Sequence, residues 1–287
     1  MGRLRRLQDA AGIRLLEAYG CYRLFLHMAS YYLVPAMQNC FGEKCVTVER
    51  IYITLFYGLT CLIMAQLCKG PVRLPVKKLS LLEIGSLFTA AYFACSIGDL
   101  FGKGAFAAGK LLCGDVLCLS FLAEHNLGAF DVAYTVALAP VLEEVVFRKA
   151  LCGRLLPYGK LVAAVVSAIS FGLFHGDPET FFYAAAAGIV FSLVYMKTGN
   201  VGYAILLHAM INGFDCMREF LWLNGWGNVT NILAILTGIC GAVTSILYLR
   251  KKRRWLVALL NAFWMALRIP GMGLFLLMAA VGMMKNG

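Results

Sequence analysis

The chain has 287 residues, 61% hydrophobic and 14% charged, with 26 Lys and Arg against 15 Asp and Glu, a formal net charge of +11 and a mean hydropathy of +0.77. Soluble globular domains run near half apolar and a quarter charged, so this balance excludes a soluble protein and implies a polytopic membrane protein. It does not point to a nucleic-acid partner, because Lys and Arg fall in short segments between apolar stretches, a pattern that reports membrane orientation.

Residues 1–20 carry Arg3, Arg5, Arg6 and Arg14, broken by Asp9 and Glu17. They read as a cytoplasmic amphipathic lead-in and not as a secretory signal peptide. Long apolar stretches then recur to the C-terminus and are continuous rather than alternating, so they read as helices. At about 20 residues per span, the chain holds about eight. The predicted spans are 21–41, 51–68, 81–101, 131–149, 159–175, 180–196, 200–216 and 230–249. Lys110 and Asp115 interrupt 104–123, which is expected to be re-entrant or interfacial, because charges at the bilayer centre are costly. The tail 255–284, broken by Arg268 and Pro270, reads as one bent span or a tight hairpin. Lys69, Arg73, Lys77 and Lys78, then Arg148, Lys149, Arg154 and Lys160, then the run 250–254, place their segments and the N-terminus in the cytoplasm. The 11 cysteines are scattered without a CxxC, and most lie in apolar runs, as do Cys61, Cys95 and Cys240. Buried cysteine behaves there as a small hydrophobe. Cys40 and Cys45 flank an expected outside loop where a pairing is feasible. No repeat or low-complexity linker appears.

Three segments hold polar groups that an ordinary membrane helix would not tolerate. In Pro140-Val-Leu-Glu143-Glu144-Val-Val-Phe-Arg148, Glu144 and Arg148 are four apart and share a helix face, which suits an ion pair. Glu143 points about 100° away and is left for another task, and a carboxylate in an apolar site suits general acid–base work. In Phe171-Gly-Leu-Phe-His175-Gly-Asp177-Pro178, His175 ends an apolar helix. In His208-Ala-Met-Ile-Asn212, imidazole and amide share one face. A base that activates water, imidazoles that hold water or a metal, and an amide N–H for the oxyanion suffice for hydrolysis. Glu143, His175 and His208 are also a donor set for Zn, although their spacing is not H-E-x-x-H. Each pattern alone has a structural reading: Glu144–Arg148 as an ion pair, and either His as a helix-packing hydrogen-bonder. Asp115 and Asp177 read as loop or cap residues, and His27 and His125 have no polar companions in sequence.

The ordered combination resembles the CPBP family, the CAAX proteases and bacteriocin-processing enzymes also called Abi. That family's pattern is EExxxR, FxxxH and HxxxN on successive membrane helices. Ala139-Pro140 before the first motif and Tyr195-Met-Lys-Thr-Gly-Asn200 before the third are also similar to it. The resemblance covers 130–216 and departs at Lys149, where the family often has Gly. It implies an intramembrane endopeptidase in which Glu143 is the base activating water, assisted by His175. His208 and Asn212 would stabilise the oxyanion, and Glu144, Arg148 and Phe171 would shape the site. It fits a glutamate-type mechanism with no metal or a metalloprotease, and the first is preferred because Asn212 suits an oxyanion better than zinc.

The expectation is therefore an all-α transmembrane bundle in three regions. Residues 1–129 form an N-terminal region of unassigned role, 130–216 a catalytic core and 217–287 a C-terminal region. The partners would be the lipid bilayer and a peptide or lipidated protein substrate: a membrane-proximal peptide, or a small bacteriocin or signal peptide. The site would open to the cytoplasm in a bacterial plasma membrane. The competing classes are a non-catalytic scaffold, regulator or immunity protein on the same fold, and a transporter. Against a transporter stands the absence of repeated halves with broken helices.

Overall fold

The computed structural model describes residues 74–113, 128–175, 178–250, 255–268 and 272–286, with 17, 20 and several positions between 55 and 66. Among them there are helices and connections only, with no strand. In chain order they are α1 (Leu81–Cys113), a helical run over 129–155 (α2), α3 (Lys160–Phe174), α4 (Pro178–Thr198), α5 (Val201–Leu223), α6 (Gly227–Arg250), α7 (Trp255–Leu267) and α8 (Met272–Asn286).

Local sequence signals explain the boundaries. α1 opens on a capping box: the Glu83 amide donates to the Ser80 hydroxyl at 3.3 Å, and the Ser80 amide donates back to the Glu83 carboxylate at 3.0 Å. The α4–α5 turn is built from Thr198-Gly199-Asn200. Gly199 takes φ +64°, a conformation open to glycine, and Asn200 caps α5 by accepting the Gly202 amide at 2.9 Å. The segment before α1 lies over this turn, where the Lys77 amide donates to the Thr198 carbonyl at 2.8 Å.

α4 is the central helix, packed against α1, α3 and α5, with α6 on the outer side of α1 and α7 and α8 against α3. Small residues let the backbones close. A Cβ at Gly98 would collide with the Phe182 carbonyl of α4, and small residues at such crossings are how membrane helices gain packing. The outer face of α6 is apolar and exposed along its length, as a lipid-facing helix requires.

α2 is not a uniform helix. Ala129–Ala133, Ala139–Glu144 and Gly153–Leu155 are α-helical, and Tyr134–Leu138 and Val145–Cys152 between them are π-helical. A π turn widens the helix and opens its carbonyls to outside donors. Both are met. The Ser167 hydroxyl of α3 donates to the Phe147 carbonyl at 2.7 Å, and the Asn212 amide of α5 donates to the Thr135 carbonyl at 2.8 Å. The two widened turns flank Glu143 and Glu144, both of which are buried.

The described residues do not confirm the expected count of about eight spans. By length and composition, three described helices are fit to cross a membrane: Leu81–Ala105, Thr180–Thr198 and Gly227–Arg250. Val257–Leu267 and Met272–Met278, bent by 88° at the break that holds Pro270, make four if they form one span. α3 has only 15 residues, and α5 is long enough but diluted by His208, Asn212, Asp215 and Arg218. The stretch expected to be re-entrant begins as the continuation of α1, which runs unbroken to Cys113. Its remainder, the spans 21–41 and most of 51–68, and Cys40, Cys45, His27, His125, Asp115 and Asp177 lie outside the described residues.

Ser167→Ala removes the one hydroxyl that serves the Phe147 carbonyl. It should destabilise the protein by about 1 kcal/mol, and up to about 3 if that carbonyl stays unpaired. Thermal unfolding in detergent would read this as a lowered Tm. An unchanged Tm would mean that the second π turn does not depend on α3.

Candidate active site

The site is assembled around Glu144, whose two oxygens serve two partners. Oε2 lies 2.9 Å from Arg148 Nε, one helical turn on, with both side chains fully buried at 0% exposure. The approach is a charge contact rather than a directional hydrogen bond, because neither atom meets hydrogen-bond geometry. Oε1 lies 3.0 Å from His208 Nδ1 on α5. A carboxylate facing a guanidinium can only accept, so the His208 ring donates from Nδ1. Its Nε2 then presents a lone pair while the ring is neutral, and that atom is 3.8 Å from Glu143 Oε2. This gap is too long for a direct hydrogen bond and within the reach of one water. Glu143 and His208 are buried but not sealed, at 8% and 6% exposure.

Aromatic rings hold the two cation-capable groups. The His208 ring stacks on Phe191 at 5.2 Å and meets the edge of Phe171 at 5.6 Å. The Arg148 guanidinium lies 4.5 Å from the Phe171 centroid and 5.4 Å from that of Phe191. Its two terminal nitrogens have no hydrogen-bond partner, so the ring faces and the Glu144 charge are what stabilise it. Gly188 makes the space: a Cβ there would stand 3.3 Å from an Arg148 terminal nitrogen and 2.9 Å from Ala168 Cα.

His175 caps α3 and is exposed. Its Nδ1 is 2.9 Å from the Phe171 carbonyl, which can only accept, so Nε2 carries the lone pair. Phe171 meets its ring edge-on at 4.8 Å and therefore touches both imidazoles. Asn212 spends one amide N–H on Thr135, and the second N–H remains for another acceptor. The structure thus brings Glu143, Glu144, Arg148, Phe171 and His208 into one contact set. His175 joins through Phe171, and Asn212 lies one turn along α5 from His208. Among the described residues no three His, Cys, Asp or Glu side chains gather as a metal-holding group, so Glu143, His175 and His208 do not converge as a trio. Phe191, Gly188, Ser167 and Thr135 also belong to the arrangement and carry no motif; a glycine within an apolar helix was the single available signal for any of them.

The same region carries the likeness to known proteins. Residues 124–214 match the family model described as type II CAAX prenyl endopeptidase Rce1-like. A Bacillus subtilis (strain 168) protein named as a candidate membrane peptidase, YdiL, is 34% identical over 107 residues, covering 33% of this chain and 43% of the relative. A Staphylococcus aureus (strain USA300) protein named membrane-embedded CAAX protease MroQ is 33% identical over 91 residues, covering 29% of this chain and 37% of the relative. The chain thus spans less than half the length of either relative. No solved structure matches it. Residues 124–214, which hold all three motifs and the buried Glu144–Arg148–His208 set, are thus similar to CAAX-protease-like membrane proteins of the CPBP family.

Proposed function

We propose that the chain is an intramembrane endopeptidase of a bacterial plasma membrane. It would hydrolyse a peptide bond in a membrane-proximal or lipidated peptide, or in a small bacteriocin or signal precursor, with water activated by Glu143. The observation that carries this reading is the pair of groups 3.8 Å apart, Glu143 Oε2 and His208 Nε2, at a buried position and at a separation that one water can bridge by bonding to both. Glu143 takes the water's proton as the oxygen attacks the scissile carbonyl. Glu144 fixes the His208 tautomer from behind, and Arg148 supplies its counter-charge. Neutral Nε2 of His208 is an acceptor, so His208 stabilises the oxyanion once Glu143 has passed it the proton taken from the water across the 3.8 Å gap. Asn212 supplies the other oxyanion donor from its remaining N–H. The Nε2 of His175 offers a second acceptor near the site through which the proton can pass to the leaving amine.

A metal-held water fits these residues less well. Structural and catalytic zinc sites take at least three protein ligands. Glu143 and His208 offer two, and His175 does not join them. The proposal therefore routes no step through a metal.

Peptidase activity of purified protein on a panel of lipidated and unmodified reporter peptides tests the reading. Glu143→Gln should lower the rate by about 10²- to 10⁴-fold with the fold intact, the usual weight of a general base. Asn212→Ala should lower kcat by about 10²-fold or more with a smaller effect on KM, as for a lost oxyanion donor. A chelator should leave the wild type active. Activity abolished by the chelator and restored by Zn²⁺ would replace this mechanism by a metal-dependent one, and equal cleavage by wild type and Glu143→Gln would remove the peptidase reading.

Glu144→Gln should behave differently from Glu143→Gln. It leaves the Arg148 cation buried without its counter-charge, which costs about 3–5 kcal/mol. A large fall in Tm should accompany its loss of activity, whereas Glu143→Gln should keep the wild-type Tm. Equal Tm values for both would sink this division of roles.

A further inference from the structure

The apolar packing of α5 ends before its ionic residues begin. Its buried residues are Ala204, Leu207, His208 and Ile211, all in the first half of the helix. The three apolar ones share a core with Ala91 and Cys95 of α1 and with Phe191 and Val194 of α4. From Asn212 onward no residue of α5 is buried. Asn212 is therefore the first residue past the part of the helix that apolar contacts hold, and it makes its bond to the Thr135 carbonyl from there.

Polar ties hold the second half instead. Asp215 follows His208 by two helical turns, so both face α4. His208 stacks there on Phe191, and the Tyr183 hydroxyl donates to Asp215 Oδ2 at 2.9 Å. Arg218 Nη1 lies 3.4 Å from Asp215 Oδ1 and donates to the Tyr92 hydroxyl of α1 at 3.0 Å. Phe214 meets the Tyr92 ring edge-on at 5.1 Å and that of Phe88 at 5.8 Å. Ionised groups are costly in a membrane bundle, and Asp215 and Arg218, three apart on one helix, could neutralise each other with no further partner. Each instead also reaches a tyrosine, and the two tyrosines stand on different helices. The four side chains thus tie α5 to α4 and to α1 just past Asn212. The same stretch of α5 also meets α2, where a Cβ on Gly213 would stand 3.6 Å from Val136 Cγ1 in the first π turn.

We infer that Asp215 and Arg218, with Tyr183 and Tyr92, are positioning residues that fix the second half of α5 and thereby set where the Asn212 amide stands against α2. His208 has restraints of its own within the packed half, from Glu144 and Phe191. The tyrosine-bound pair therefore acts on Asn212 more than on His208. Without one of its ties, α5 beyond Ile211 shifts relative to α2, and the Asn212 amide moves with it. That Asn212 serves an oxyanion rests on the peptidase reading above. That the ties set its position does not.

Tyr183→Phe removes one hydroxyl and Arg218→Gln one charge, and two measurements read the result. The first needs no substrate. With Val136→Cys and Gly213→Cys in the otherwise native full-length chain, mild oxidation in detergent should bridge α2 to α5, and mass spectrometry follows the bridged peptide. Tyr183→Phe and Arg218→Gln should each slow the bridging several-fold; an unchanged rate in both would overturn the inference. The second is a double-mutant cycle on reporter peptides. Each substitution should lower kcat by about tenfold, within the ~10²-fold that a 1 Å misplacement can cost, and change KM little. In an Asn212→Ala background the same substitutions should lower kcat hardly further, because the residue they act through is gone. An equal fall in both backgrounds, or a lowered Tm with kcat and bridging unchanged, would reduce the four residues to ordinary packing. If the cysteine pair does not bridge in the native background, the cycle decides alone. Slowed bridging in a protein that cuts no peptide would keep the positioning and remove the peptidase; cleavage with bridging unaffected would do the opposite.

Discussion

The buried carboxylate of Glu144 is the constraint on which the rest of the site depends. In a low-dielectric bundle an isolated charge is prohibitive, and a paired one is tolerated only when its remaining lone pairs are used. Arg148 supplies the charge from the same helix, and His208 supplies the second contact from α5. Neither partner is interchangeable with an apolar residue unless the others change too. The Arg148 terminal nitrogens lack hydrogen-bond acceptors, and Phe171, Phe191 and the missing side chain of Gly188 provide the surface against which they rest. One ion pair therefore dictates two aromatic positions and a glycine on two further helices.

The same economy governs the backbone of α2. A straight α-helix would place successive carboxylates 100° apart, with no more than one of them facing a given neighbour. Here π turns on both sides of Ala139–Glu144 loosen the helix, and each has a carbonyl held by a side chain from the helix packed on it. Asn212 closes the first π turn, and on the proposed mechanism its second N–H, one turn along α5 from His208, serves the oxyanion. A residue that holds the wall of a site and also offers a donor to it is pre-organised by the structural bond, because the amide cannot rotate away without breaking it.

Much of this was legible in the chain before folding. The i,i+4 relation of Glu144 and Arg148 suited an ion pair, and the pair is there at 2.9 Å. The spacing of His208 and Asn212 put both on one face, and both meet α2. What could not be read is of two kinds. Contacts between helices, such as Phe191 on His208 or Ser167 on Phe147, have no sequence period, because they depend on how neighbouring helices are phased. Whether a stretch spans the membrane by itself is hidden for a related reason. A stretch such as 200–216 is apolar enough to look like an independent span, yet α5 is diluted by the polar residues of the site and is shielded by α1, α2, α4 and α6 rather than by lipid.

The two adjacent glutamates illustrate why the motif needs both. If Glu144 were the base, taking a proton would cancel the charge that balances buried Arg148, and each turnover would pass through an uncompensated cation. Glu143 escapes this conflict. It retains slight exposure and faces the Nε2 side of His208. On the proposed mechanism the permanent charge of the site and its transient proton are carried on neighbouring residues, and His208 lies between them with one nitrogen facing each.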